Sequence, residues 1–173
     1  MKRKNILFSA LCALILLFAC AGWHFLYDNT GVCFLACIAP VNESVWEHAK
    51  LFFVPVLVFF LIRYLISKEK PKNALFAAAV SVVFQMGIMI AASLPFVYFI
   101  GDNFVFFIML TYITLFLGIL LSRRIEALPK IQFGAVFGIV IIAAMLIAFC
   151  LFTLFPPQVY LFFDMANLEY GIM

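Results

Sequence analysis

Five runs of about 20 predominantly apolar residues, each parted from the next by a short polar break, leave this chain only one solvent in which to fold. Water is excluded, because 68% of the residues are hydrophobic and 11% charged, against about half and about a quarter in a soluble domain. A backbone in lipid must satisfy its own hydrogen bonds, so each run has to be a helix. The expected fold is therefore all-α: a polytopic transmembrane helical bundle, with spans at about 6–27, 42–67, 74–100, 104–121 and 133–155. It forms a single domain, residues 156–173 being an outer tail too short and interrupted to span again. No internal repeat occurs at any period, so the inverted-repeat design of many transporters has no support here.

Orientation follows from Lys and Arg, which are retained on the cytoplasmic side of membrane proteins. With the N-terminus inside, that side receives Lys2, Arg3, Lys4, Arg63, Lys68, Lys70, Lys72, Arg123, Arg124 and Lys130, ten of the eleven basic residues. The opposite side receives Asp28, Glu43, Glu47, Asp102, Asp164 and Glu169, together with Lys50 and both histidines. The expectation is N-in and C-out. Basic residues clustered beside spans also account for the net charge of +3 without a nucleic-acid partner; the partner is the lipid bilayer. Near the start, Leu17-Phe18-Ala19-Cys20 is similar to a lipoprotein cleavage box. The apolar run continues past Cys20 through Trp23 and Phe25, so the first helix is read as retained.

The second span needs help from its neighbour. Leu51–Ile66 would reach about 24 Å at 1.5 Å per residue, short of a hydrocarbon core of about 30 Å. Its helix is expected to begin at Asn42 to Ser44, inside Pro40-Val41-Asn42-Glu43-Ser44-Val45-Trp46-Glu47-His48-Ala49-Lys50. Helical spacing puts Glu43, Glu47 and Lys50 on one stripe, with Ser44 and His48 on the next. A structural account is available for much of this turn. Ser44 and Glu47 match a capping box, Trp46 suits an interfacial anchor, and Lys50 can pair with either Glu.

That account leaves His48 unexplained, along with His24, which stands at similar depth on the same side. The short connection between the first two spans predicts that the histidines approach each other across the outer ends of these helices. Two imidazoles and one carboxylate make a ligand set suited to zinc or another divalent metal with an open position. The set is His24, His48 and Glu47, with Glu43 as the other available carboxylate. The wider expected pocket comprises His24, Asn42, Glu43, Ser44, Glu47, His48, Lys50, Asp164 and Tyr170.

Elsewhere polar residues are few. Gln85, Thr111 and Thr114 are expected to hydrogen-bond between helices. Gly134 and Gly138 form a G-x-x-x-G face for close helix approach, within the chain or to a second subunit. Pro55 and Pro95 are expected to kink the second and third spans. Of five cysteines, Cys12, Cys20 and Cys150 lie inside spans as small apolar packers, while Cys33 and Cys37 share the outer loop. A bridge between these two is chemically accessible, though one helical turn of spacing suits it badly.

His24-Phe25-Leu26-Tyr27, the Pro40-to-His48 string with Lys50, and a tail of Pro156-Pro157, Leu161-Phe162, Asp164 and Tyr170-Gly171-Ile172 resemble a family of small, uncharacterised multi-pass bacterial membrane proteins. The resemblance implies a bacterial cytoplasmic-membrane location and an intact first helix, and brings no established activity. Three functions fit the residues. One is an outward acidic and histidine pocket that binds or passes a cation or small polar solute. Another is a membrane-embedded, metal-dependent hydrolase at the outer leaflet, with Glu43 or Glu47 as general base and His48 or His24 as ligand or proton shuttle. The third is an accessory or assembly subunit in which the polar turn is structural glue.

Overall fold

The structure, a computed structural model, describes residues 3–172, with side chains from Asn5 onward, so Lys2 of the basic start lies outside the described residues. Five helices are long and apolar enough to cross a membrane: Asn5–His24, Val45–Ile66, Ala74–Ile100, Phe104–Glu126 and Gly134–Leu154. The fold is the expected transmembrane helical bundle. Helix α1 spans Arg3–His24, α2 Leu26–Thr30, α3 Val45–Ala49, α4 Val54–Ile66, α5 Ala74–Ile100, α6 Phe104–Glu126 and α7 Gly134–Leu154.

Side-chain size separates the inside of this bundle from its lipid-facing outside. Phe18, Phe99, Phe104 and Phe155 are each at least 71% exposed, whereas Ala13, Ala77, Ala79 and Val82 are fully buried. Large apolar groups lose nothing by facing lipid tails, and small ones let backbones approach. Helix α5 is the hub and touches α3, α4, α6 and α7. Gly138 is buried against its first turn, where a Cβ would stand 3.0 Å from the Leu75 carbonyl group. Gly134 likewise meets Phe76. The Gly134/Gly138 face is thus filled within the chain, and is not the free surface for a second subunit that the motif allowed.

Several boundaries move, each for a local reason. The first helix stops at His24 instead of reaching Tyr27, because Phe25 leaves helical geometry and a separate turn, α2, follows. The second span begins at Val45, capped by Ser44, whose hydroxyl accepts from the Glu47 amide at 3.3 Å. A 3-10 stretch at Lys50–Phe52 then divides α3 from α4, and Pro55 sits in the first turn of α4, where a missing amide proton costs nothing. Pro95, by contrast, lies inside a continuous α5. Helix α6 continues to Glu126, five residues past expectation, because polar tips at that end find partners. Arg123 donates to the Asn5 carbonyl and the Ser9 hydroxyl, and Arg63 pairs with Glu126. Asn73 organises the same end, with its amide reaching the carbonyls of Ile125, Leu128 and Pro129 while its own oxygen accepts from the Ile131 amide.

Two expectations about mid-span polar groups are corrected. Gln85 and Thr114 are buried without a hydrogen-bond partner among the described residues. The α5–α6 hydrogen bond is made instead by Ser81 to the Gly118 carbonyl, at 3.1 Å. At the opposite end the tail adds a small non-helical feature, a strand pair β1 (Phe163–Asp164) and β2 (Glu169–Tyr170), antiparallel with Phe163 opposite Tyr170.

Candidate functional site

Where α1 ends, His24 points its Nε2 toward the polar turn that leads into α3. His48, in the last turn of α3, points back, and the two Nε2 atoms are 3.4 Å apart. Glu43, two residues before the helix starts, completes a triangle. Its Oε2 lies 3.6 Å from His24 Nε2 and 3.4 Å from His48 Nε2. The sequence-level stripe placed Glu43 with Glu47 and Lys50, but that holds only if all three are helical. Since α3 begins at Val45, Glu43 escapes the stripe and turns to the histidines.

The protonation of this triangle is fixed at one corner. His48 Nδ1 is 3.0 Å from the Ser44 carbonyl, which can only accept, so Nδ1 carries the proton and, in the neutral ring, Nε2 presents a lone pair to the site. The His48 ring is held flat against Phe107, with centroids 4.9 Å apart. His24 Nδ1 has no partner among the described residues, and its ring is oriented by packing against Phe25 and His48. The His24 imidazole beside it holds the Glu43 carboxyl below its ordinary range, against the opposing effect of burial.

Donor spacing is what makes this triangle chemically interesting. Tetrahedral zinc with bonds of about 2.0–2.1 Å holds its ligand atoms about 3.3–3.4 Å apart. The three edges here are 3.6, 3.4 and 3.4 Å. Among the described residues three protein atoms converge, which leaves a fourth position open. The candidate metal set is therefore His24, His48 and Glu43; Glu47, the carboxylate expected from sequence, lies elsewhere.

Glu47 belongs to a second, fully buried cluster. Its Oε2 is 2.6 Å from Lys50 Nζ and accepts from the Val41 amide at 3.1 Å, while Oε1 accepts from the Thr153 hydroxyl at 3.0 Å. Lys50 Nζ also donates to Thr153 Oγ1 at 2.5 Å and to the Ala36 carbonyl at 2.7 Å. Every polar atom has a partner, as a buried ion pair requires. The cluster ties the second span to α7 and to the 3-10 turn Cys33–Cys37. Beside it, Cys37 lies next to Cys150. Burial, then this contact, push the Cys37 thiol up to about 11, and all five thiols are free. The ring of Trp46, expected as an interfacial anchor, sits among Phe149, Phe152 and Phe162, with centroids 5.2–5.6 Å away.

A third group latches the tail onto the polar turn. Asn42 donates to the Gly171 carbonyl at 2.7 Å, and its oxygen accepts from the Ser44 amide. Asp164 is buried, accepting from the Glu43 amide at 3.3 Å and closing its own turn through Ala166 and Asn167. Tyr170 stands off from the histidines, 37% exposed and packed on Phe163. Thus eight of the nine expected pocket residues divide into a His–Glu–His triangle, a clamp and a latch, and Tyr170 stands apart from all three.

A cavity of about 210 Å³ adjoins the triangle, walled by α1 and α6 and bordered by Asp102. Sequence reading placed Asp102 among the outer acids without linking it to the histidines. The short α5–α6 connection, which returns α6 to the His24 end, was the available signal. The α6 wall and Thr153 were likewise missed as site-forming residues, Thr153 because its partners are 103 and 106 positions away.

Fold and site together define a small polytopic membrane protein whose two histidines and a carboxylate meet at one end of the bundle. The chain belongs to the family of unknown function DUF6512, whose model matches residues 2–172. No curated protein and no solved structure matches it.

Proposed function

We propose that this protein binds a divalent transition-metal cation, zinc first among them, through His24 Nε2, His48 Nε2 and Glu43 Oε2 on the outer side of the cytoplasmic membrane. The observation that carries the reading is the near-equilateral triangle of donors, whose edges of 3.4–3.6 Å correspond to metal bonds of about 2.1 Å in tetrahedral geometry. Support comes also from the Ser44 carbonyl, which fixes the His48 tautomer so that Nε2 is the free ligand atom. Two imidazoles and a carboxylate select borderline cations over magnesium and calcium, which prefer all-oxygen shells. Ionisable groups at membrane depth are costly unless used, and the clamp and latch already account for the other charged groups of the turn.

Metal analysis of the protein purified in mild detergent tests this. About one zinc per chain is expected after dialysis against micromolar zinc, falling below about 0.2 in His48→Ala and in Glu43→Gln. Glu47→Gln, in the fraction that remains monodisperse, keeps its zinc. Zinc retained by His48→Ala, or absent from the parent protein, would end the proposal.

One further observation favours a second reading, metal-dependent hydrolysis. The open fourth position faces a cavity that also contains Asp102, the arrangement by which a metal-bound water is activated beside a proton acceptor. Zinc-dependent turnover of a nitrophenyl acyl ester, lost in Asp102→Asn with zinc retained, would move the protein from binding to catalysis.

A further inference from the structure

We infer that the ligand meeting the cation at this site is an uncharged acyl-ester lipid, entering from the bilayer along the seam between α1 and α6. The inference rests on the metal-binding reading and adds to it the occupant of the open position.

The cavity is not a pocket for a water-borne solute. Its α1 wall carries Leu17, Ala21 and His24, and its α6 wall Phe104, Ile108 and Thr111. Both sets are spaced by three or four residues and span seven residue steps, so each is one stripe of its helix. The two stripes face each other and form a furrow about 10 Å long at 1.5 Å per residue. The ionisable groups His24, Glu43, His48 and Asp102 gather at one end, while Leu17, Leu51 and the lone hydroxyl of Thr111 line the part that runs toward the bundle's middle. An occupant must therefore be amphiphilic, with an oxygen donor at the cation and a chain along the furrow.

The side of the furrow opens to lipid. Ile108 and Phe104 are 39% and 75% exposed although both belong to a membrane span, and Ala21 opposite them is exposed too. At about 210 Å³ the cavity is smaller than sites that engulf a whole drug-sized ligand, about 300 Å³ or more. It fits the first part of a chain whose remainder stays among the lipid tails. Charge then selects the head. A divalent cation is balanced by the two carboxylates of the site, Glu43 and Asp102, so a neutral donor such as an ester carbonyl leaves the site neutral. A free fatty-acid carboxylate adds an uncompensated anion in a low-dielectric position.

Photolabelling in nanodiscs tests this. Zinc-loaded protein is exposed to a ten-carbon methyl ester carrying a diazirine near its carbonyl, or to the matching free acid, at equal membrane density, and labelled residues are mapped by mass spectrometry. The ester is expected to label the seam residues at least fivefold more than the acid does, and removal of zinc by chelation should reduce ester labelling to the acid's level. Ala21→Trp, a lipid-exposed position whose enlargement fills the furrow, should cut seam labelling at least fivefold with zinc content unchanged; Ile108→Trp should do the same from the opposite wall. Ester labelling spread evenly over all lipid-facing helices, equal before and after chelation, or weaker than that of the acid would overturn the inference while leaving metal binding intact. Absence of zinc from the parent protein would instead mark failure of the metal-binding reading itself.

Discussion

Replacing Lys50 by Met separates the clamp from the candidate metal site and predicts a large, specific loss of stability. Lys50 is fully buried, and its ammonium donates to Glu47, Thr153 and the Ala36 carbonyl within 2.5–2.7 Å. Methionine conserves most of the volume but strands the Glu47 carboxylate, which then keeps only the Val41 amide and the Thr153 hydroxyl. Breaking one partner of such a pair costs about 3–5 kcal/mol. Adding Glu47→Gln to Lys50→Met removes the stranded charge, so the double variant should recover about 2 kcal/mol over the single one. Unfolding by SDS titration in mixed micelles, followed by tryptophan fluorescence, measures both, since Trp46 lies one residue from Glu47 in the affected segment. Single-variant losses under about 1 kcal/mol, or a double variant that is simply additive, would refute the clamp.

Other consequences are more local. Gly138→Val should cost about 1–3 kcal/mol by forcing α7 off the Leu75 backbone, read in the same titration, whereas Gly87→Val, with open space at its Cβ, should cost far less. Copper-phenanthroline oxidation should join Cys37 to Cys150, leaving Cys33 open to alkylation, and peptide mapping of the product decides between these pairings. For the N-in, C-out orientation, an impermeant maleimide applied to intact cells should label Cys33 but not a cysteine placed at Lys72; labelling at Lys72 alone would invert the topology. Lys72 is chosen because Asn73 beside it is buried and hydrogen-bonded.

The bundle was legible because the bilayer imposes a length and polarity rule that each apolar run obeys independently. Ala74–Ile100 could be placed to the residue, since Asn73 and Gly101 flank an uninterrupted apolar run. The meeting of His24 and His48 was legible too, from their similar depth on one side and the short connection between the two spans. The choice of carboxylate was not. A periodicity argument assigns residues to stripes only within a helix, and whether Glu43 lies inside or just outside the helix reverses its partners; one cap, Ser44, decides it. Thr153, Cys150 and the α6 wall are brought to the turn by packing between spans distant in sequence, for which a nearly uniform apolar helix offers no signal.

Zinc K-edge X-ray absorption of the metal-loaded protein tests the central claim most directly. A first shell of four nitrogen or oxygen atoms at about 2.0–2.1 Å, with the outer-shell scattering of two imidazoles, is the predicted spectrum, and one imidazole should disappear in His24→Ala. A sulfur shell at about 2.3 Å, implicating the Cys37–Cys150 pair, or a six-oxygen shell without imidazole would contradict the assignment of His24, Glu43 and His48.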